Sequence, residues 1–330
     1  MWQPSHDPVA TRVLTQGYGL NVRGLRLLRR ESANQVYRAD VDGGSVVVKR
    51  LARPGSASWR AFQARTMVRL RDQGFPVAPP VTATSGLPAA EAGGFWWQVL
   101  PFDPGRAFRS GDAPDVAAAA DCLDRLHGFG DVDDVEPAAS PVRDVESWLT
   151  ADETELDRLT EMIDDVAPNT PDDVRKRYAA TYERARSSLD MNAYRELPRG
   201  LSHGEFIGSN LLFQDDGVSC VLDWDALDVR PRVADLARAC LFIARRERGK
   251  FDVHADLARA FLRDATASRG LGDDEAAAVV PYLELFFLPS RTHLSVIMRH
   301  NPEIVRWYLG WSAAGADSVR AVMTPIVDTL

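Results

Sequence analysis

The residues best suited to chemistry lie between Leu201 and Asp225. The run Leu201-Ser202-His203-Gly204-Glu205-Phe206-Ile207-Gly208-Ser209-Asn210 joins a His-Gly turn to an acid, and an Asn follows five residues after that acid. A short strand, the Asp216-Gly217 turn and a returning strand, Val218–Leu222, then lead to Asp223-Trp224-Asp225. One loop thereby places an acid and an amide near two further carboxylates. A few hard oxygen donors of this kind are what Mg²⁺ on a nucleotide requires. The chemistry this layout implies is phosphoryl transfer, with Asn210 and Asp223 holding metal and Glu205 accepting the proton of an attacking hydroxyl. Taken singly, each acid reads as a turn cap; the succession of acid, Asn, hairpin and Asp-x-Asp favours chemistry.

Such a site needs a cation for the phosphates. The chain has 36 Arg but only three Lys, namely Lys49, Lys176 and Lys250. Lys176 and Lys250 lie in polar stretches and read as surface. Lys49 ends the β-branched run Ser45-Val46-Val47-Val48-Lys49, where a compact ammonium is a good point charge for phosphate. A snorkelling strand-end lysine fits the same residues.

The elements that must position these groups follow from patterning. Leu25–Leu28, Val36–Val41 and Ser45–Lys49 read as a three-strand meander, with a polar turn at Glu31-Ser32-Ala33-Asn34 and a hairpin at Asp42-Gly43-Gly44. Residues 58–73 read as a helix with Trp59, Phe62, Thr66 and Leu70 on one face, closed by Gly74 and Pro76. Phe95–Leu100 is an apolar strand interrupted only by Gln98. The break at Pro101-Phe102-Asp103-Pro104-Gly105 is the expected domain boundary. Beyond it the pattern turns helical: a helix from the Asp112 cap to His127, an acidic loop over 131–142, and amphipathic segments near 143–162 and 171–189.

Composition bounds the rest. The chain has 330 residues, 45% hydrophobic and 26% charged, which suits one large or two modest globular domains. The formal charge is −8, yet residues 1–71 hold 13 Arg or Lys against 4 Asp or Glu. A basic first lobe and an acidic remainder suggest different duties, although a solvated basic face explains the same count. With a negative total and no basic run carrying interleaved aromatics, nucleic acid is not an expected partner. No membrane span or signal peptide is apparent. Three widely spaced cysteines argue against a disulfide framework, and a cytoplasmic setting is expected.

On these residues the sequence resembles the aminoglycoside phosphotransferase superfamily, which shares the protein-kinase-like fold and includes homoserine and choline kinases. Four features over about 25–300 carry the resemblance: Asn34-x-x-Tyr37 followed by Val46-Val47-Val48-Lys49; Gly74-Phe75-Pro76-Val77; Leu126-His127; and His203-Gly204-x5-Asn210 with Asp223-Trp224-Asp225 and Pro231-Arg232-x-x-Asp235-Leu236-Ala237. It implies a bilobal α+β fold, with a small antiparallel β-sheet N-lobe over 1–101 and a larger, mainly helical C-lobe over 102–330. It further implies ATP (or GTP) and Mg²⁺. Asn34 and Lys49 would face phosphates, and Leu100–Phe102 would form the hinge that meets adenine. Asn210 and Asp223 would hold metal, with Asp225 behind them or on a second ion. Asp235 would brace the catalytic loop, His203 would bond backbone nearby, and His127 reads as a core histidine.

Two positions depart from the family. The catalytic acid is Glu205 where Asp is expected, which sets the carboxylate roughly 1.5 Å further from the backbone. Gln63 stands where the helix would supply a Glu to pair with Lys49. The acceptor implied is a small-molecule hydroxyl, with an amine-bearing one compatible with the acidic C-lobe. A catalytically impaired pseudokinase, or a kinase-like subunit acting on a peptide Ser or Thr, is the alternative. Tyr282–Leu288 with Glu284, then Arg291 and His293, fits an acceptor wall and a buried helix with a satisfied charge equally.

Overall fold

A computed structural model describes residues 7–29, 34–51, 55–129 and 144–330. Most of the turn at 31–34 and the acidic loop at 131–142 lie outside the described residues. The chain divides into two compact units. The first holds described residues within Met1–Arg106, together with Ser219–Leu222; the second holds those within Ala107–Asp134, Val142–Val218 and Asp223–Leu330.

The first unit opens with a short helix α1 (Pro8–Arg12) that widens into a π turn, Val13–Gly17. Asp7 caps it, accepting from the amides of Val9 and Ala10, and also accepts the Tyr37 hydroxyl at 2.6 Å. Behind it lies an antiparallel sheet of β1 (Val22–Arg29), β2 (Gln35–Val41), β3 (Gly44–Leu51), β4 (Ala90–Ala92) and β5 (Phe95–Pro101), in the order β1-β2-β3-β5-β4. The meander expected from alternation is present, each strand a residue or more longer. The β2–β3 reversal uses Gly43 at φ +89°, a conformation that glycine adopts without a Cβ penalty. Val48, Trp97 and Val99 line the core with Tyr37, while Trp96 lies half-buried near the Arg60 guanidinium.

Helix α2 (Ala57–Asp72) starts where the Ser56 hydroxyl accepts from Trp59 N. It buries Trp59, Phe62, Gln63, Thr66, Met67 and Leu70. Gly74 at φ +79° ends it, with Phe75 N bonded to Leu70 O and Gly74 N to Arg71 O, a Schellman closure.

Among the described residues, ten further helices make up most of the second unit. Helix α3 (Ala113–Gly128) is capped by Asp112, as its sequence predicts. The segment expected near 143–162 is two helices, α4 (Asp144–Leu149) and α5 (Glu155–Val166). The chain breaks between them because the Asp152 carboxylate accepts both the amide and the hydroxyl of Thr154, a local bond that competes with helix continuation. The remainder are α6 (Asp172–Ser188), α7 (Met191–Glu196), α8 (Val233–Ala244), α9 (Ala255–Asp264), α10 (Asp273–Phe286), α11 (Arg291–His300) and α12 (Val305–Val327). Helix α10 packs on α6, α8 and α12. Short strands complete the topology: β6 (Arg106–Ala107), β7 (Arg199–Ser202), β8 (Leu211–Gln214), β9 (Gly217–Val221) and β10 (Asp228–Pro231), with sheet orders β10-β7 and β6-β8-β9. No described helix is long and apolar enough to cross a membrane.

Candidate active site

Strands β7 and β10 run antiparallel, and their register pairs Ser202 with Asp228 and Leu201 with Val229. The loop leaving β7 and the turn entering β10 are therefore held face to face. Gly204, at φ +76°, sits so close to Ala226 that a Cβ there would lie 2.6 Å from the Ala226 carbonyl oxygen. The His203 ring packs edge-on against Trp224, centroids 4.7 Å apart. Two segments distant in sequence thus share one site.

A single carboxylate shapes the loop. Asp235, on α8 and 1% exposed, accepts His203 N on one oxygen at 2.6 Å and Gly204 N on the other at 2.8 Å. Burial alone would raise its pKa. Electrostatic interaction with His127 and His203 and the Gly204 amide hydrogen bond overcome this and hold it below the usual value. His127 Nε2 stands 3.7 Å from Asp235, so its contribution there is mainly electrostatic. His203 Nδ1 accepts Glu205 N at 3.2 Å.

The far end of the loop is closed by Asn210, whose amide nitrogen donates to the Glu205 carbonyl at 2.9 Å. Asn210 is buried and Glu205 half-buried. Asp223 is half-buried and left-handed, at φ +63°, an uncommon backbone for any residue but glycine, which Asp tolerates better than most. Asp225, two residues on, is buried. Gly208 is also obligatory, since a Cβ would lie 2.5 Å from the Phe108 ring.

The groups that could meet a divalent ion are the amide oxygen of Asn210 and the carboxylates of Asp223 and Asp225. Among the described residues no group of three or more His, Cys, Asp or Glu is arranged to hold a metal alone. Two or three hard oxygens fit Mg²⁺, which takes its other ligands from water and phosphate, better than an all-protein cage metal.

In the first unit, Lys49 lies on β3, 7% exposed, with Val36 and Gln98 as its cross-strand neighbours. The Gln98 side-chain amide donates to Gln63 Oε1 on α2 at 3.2 Å. Two neutral amides therefore occupy the space between sheet and helix beside the lysine. Leu100 and Pro101 continue β5, opposite Val47 and Val46. Phe102 follows, with the Arg38 guanidinium 4.3 Å above its ring. Asn34 is half-buried at the start of β2.

Two residues, one in each unit, are not singled out by the sequence. Gln98 registered only as an exception in an apolar strand. Arg238, which donates to the Gly204 carbonyl, lies three residues after Asp235, a spacing that sets both on one helix face. Glu284, by contrast, is fully buried between Arg184 and Arg320, the satisfied-charge alternative for that helix.

A sequence model described as the phosphotransferase enzyme family matches residues 24–271. No curated protein matches the chain in sequence. Among solved structures, the chain is similar to an aminoglycoside phosphotransferase from Alicyclobacillus acidocaldarius, 18% identical over 99% of this chain and 98% of that one, TM-score 0.61. A microcompartment-associated aminopropanol kinase is 15% identical, with 96% and 98% covered and TM-score 0.70. A macrolide 2'-phosphotransferase from Brachybacterium faecium is 18% identical, with 93% and 95% covered and TM-score 0.54.

Proposed function

This chain belongs to the phosphotransferase enzyme family, and on that premise we propose that it transfers the γ-phosphoryl group of ATP to a hydroxyl of a small molecule. The observation that carries this reading is the loop 203–210. Asp235 fixes its first two amides and Asn210 ties its end to the Glu205 carbonyl, so a carboxylate and an amide are held on one closed turn. The Glu205 carboxylate accepts the acceptor's hydroxyl proton as the new oxygen–phosphorus bond forms. The bond from phosphorus to the β,γ-bridging oxygen breaks, and the nucleoside diphosphate leaves with that electron pair. Lys49 on β3 neutralises donor phosphates with Asn34 in support, and Leu100 and Phe102 meet the base. Asn210 and Asp223 would hold Mg²⁺, with Asp225 in support, and the ion would supply electrostatic stabilisation of the charge developing on the transferred phosphoryl group. GTP would use the same groups.

Similar structures carry names of kinases acting on aminoglycosides, aminopropanol and macrolides, which supports a small acceptor, an amino sugar or amino alcohol included, and lends no support to a peptide. Three free, buried cysteines suit a reducing cytoplasmic setting. Gln63 and Glu205 favour a second reading, a nucleotide binder with impaired turnover. One experiment separates the two. Mg·ATP at 100 times its Kd should stabilise the protein by about 2.7 kcal/mol, and the shift should vanish in Lys49→Ala and Asp223→Ala. If Glu205→Ala keeps the shift but loses ADP release, Glu205 is the base; equal turnover in wild type and Glu205→Ala removes it from that role. No shift at millimolar nucleotide overturns the reading.

A further inference from the structure

Beyond the loop, the surface of the second unit is aromatic. Arg238 donates to the Gly204 carbonyl and lays its guanidinium 4.4 Å from the Phe286 ring centroid. Phe242, one turn further along α8, sits 5.9 Å from Phe286 and carries the Arg245 guanidinium at 5.2 Å. Phe287, buried beneath, joins Phe286 at 5.1 Å to Trp311 at 5.3 Å. Trp311 stacks on Trp307 at 6.0 Å and 17°, and Trp307 is 61% exposed. Phe242, Phe286 and Trp311 are half-buried. A chain of ring contacts therefore links Arg238, at the loop, through the buried Phe287 to the exposed Trp307, and its half-buried members Phe242, Phe286 and Trp311 offer apolar surface of the kind that marks binding.

The charge beside this wall is positive. Among the described residues no carboxylate forms an ion pair with Arg238 or Arg245; Arg246 pairs with Asp252 at 3.2 Å, and residues 245–252 set four cations (Arg245, Arg246, Arg248, Lys250) against Glu247 and Asp252. Arg248 and burial together push Arg245 below the usual guanidinium range. Glu284, the acid nearest in sequence to Phe286, is sequestered by Arg184 and Arg320.

We propose that this wall holds the body of the hydroxyl acceptor, and that the acceptor is an apolar ring compound bearing an anionic group rather than a polyamine. Rings stack on Trp307, Trp311 and Phe286, and the anion meets Arg245. The inference rests on the phosphotransfer reading, because only that reading makes rings joined through Arg238 to the Gly204 carbonyl an acceptor surface.

The test uses the full chain and 1-anilinonaphthalene-8-sulfonate, a planar apolar anion, with the Mg·ATP thermal shift measured alongside. One saturable dye site is expected, weakened about fivefold in Trp307→Ala and in Arg245→Ala, roughly the loss of one ring or charge contact. Trp307 is exposed enough that its truncation leaves the fold intact. Spermidine in excess should leave dye binding unchanged. Unsaturable binding, binding indifferent to both variants, displacement by spermidine, or a stable dimer that buries Trp307 would each overturn the proposal. If those results come with a normal nucleotide shift, only the acceptor inference falls. An absent nucleotide shift removes the phosphotransfer reading, and the acceptor role with it, even where dye binds.

Discussion

Gln98 donates its side-chain amide to Gln63 at 3.2 Å, and Gln98 is the residue directly across the sheet from Lys49. β5, the strand paired with the one that carries the lysine, is thus tied to α2 through two uncharged amides. A carboxylate at position 63 would still accept from Gln98 and would add a charge beside the ammonium. We expect Gln63→Glu to tighten Mg·ATP about fivefold, the scale of a charge-assisted bond gained in place of a neutral one, as read by titration calorimetry. Unchanged affinity would mean that Lys49 is positioned without help from α2.

Asp235→Asn keeps the shape of the side chain but removes its charge, and presents an NH₂ to a backbone amide that can only donate. The expected loss is about 3 kcal/mol, the sum of a broken charge-assisted bond and a buried donor left unmatched. A lower urea midpoint with an unaltered slope would report it. A midpoint within error of wild type would show that the loop keeps its shape by other means.

The same residue sets an acid limit. Its carboxyl titrates below the usual range in the folded protein, so in acid the unfolded chain binds the extra proton first. Asp235 therefore contributes stability above the ordinary carboxylate range, and that contribution is lost as pH falls through it towards the lower, folded value. Unfolding measured from pH 7 down to 3 should converge for wild type and Asp235→Asn. Parallel curves across that window would assign the acid sensitivity to other groups.

Gly204→Ala should be more harmful to turnover than to folding. The added Cβ meets the Ala226 carbonyl at 2.6 Å and the Ala226 Cβ at 2.7 Å, and φ is +76°. The strain of the left-handed backbone is about 1–2 kcal/mol, while a shift of about 1 Å in the loop costs on the order of 100-fold in rate. Adding Ala226→Gly removes one contact and leaves the carbonyl in place, so the double variant should stay slow. Full recovery would show that the side chain, not the backbone, is the obstacle.

Much of this arrangement is legible in the sequence, and the legible parts share a cause. The meander, α2 and the Asp112 cap are local: strand alternation, helical spacing and glycine chemistry act over a few residues. Asp235 could be assigned a bracing role because its motif resembles a known one. Local rules could not show that Asp152 stops α4 from running into α5, since a capping Asp and a surface Asp look alike. Nor could they show the ring wall, whose members come from 242, 286–287 and 307–311 and meet only after α8, α10 and α12 pack. Gln63 without Gln98 is half of a pair, and the missing half lies 35 positions away.

The shape of the loop His203–Asn210 is written outside it. Both oxygens of Asp235 are committed to amides more than thirty positions upstream, and Arg238 on the same helix takes the next carbonyl. The loop is accordingly not a transplantable part. Grafting His203–Asn210 onto another scaffold would carry over the letters without the mould, and only a transfer that brings α8 along would reproduce the turn.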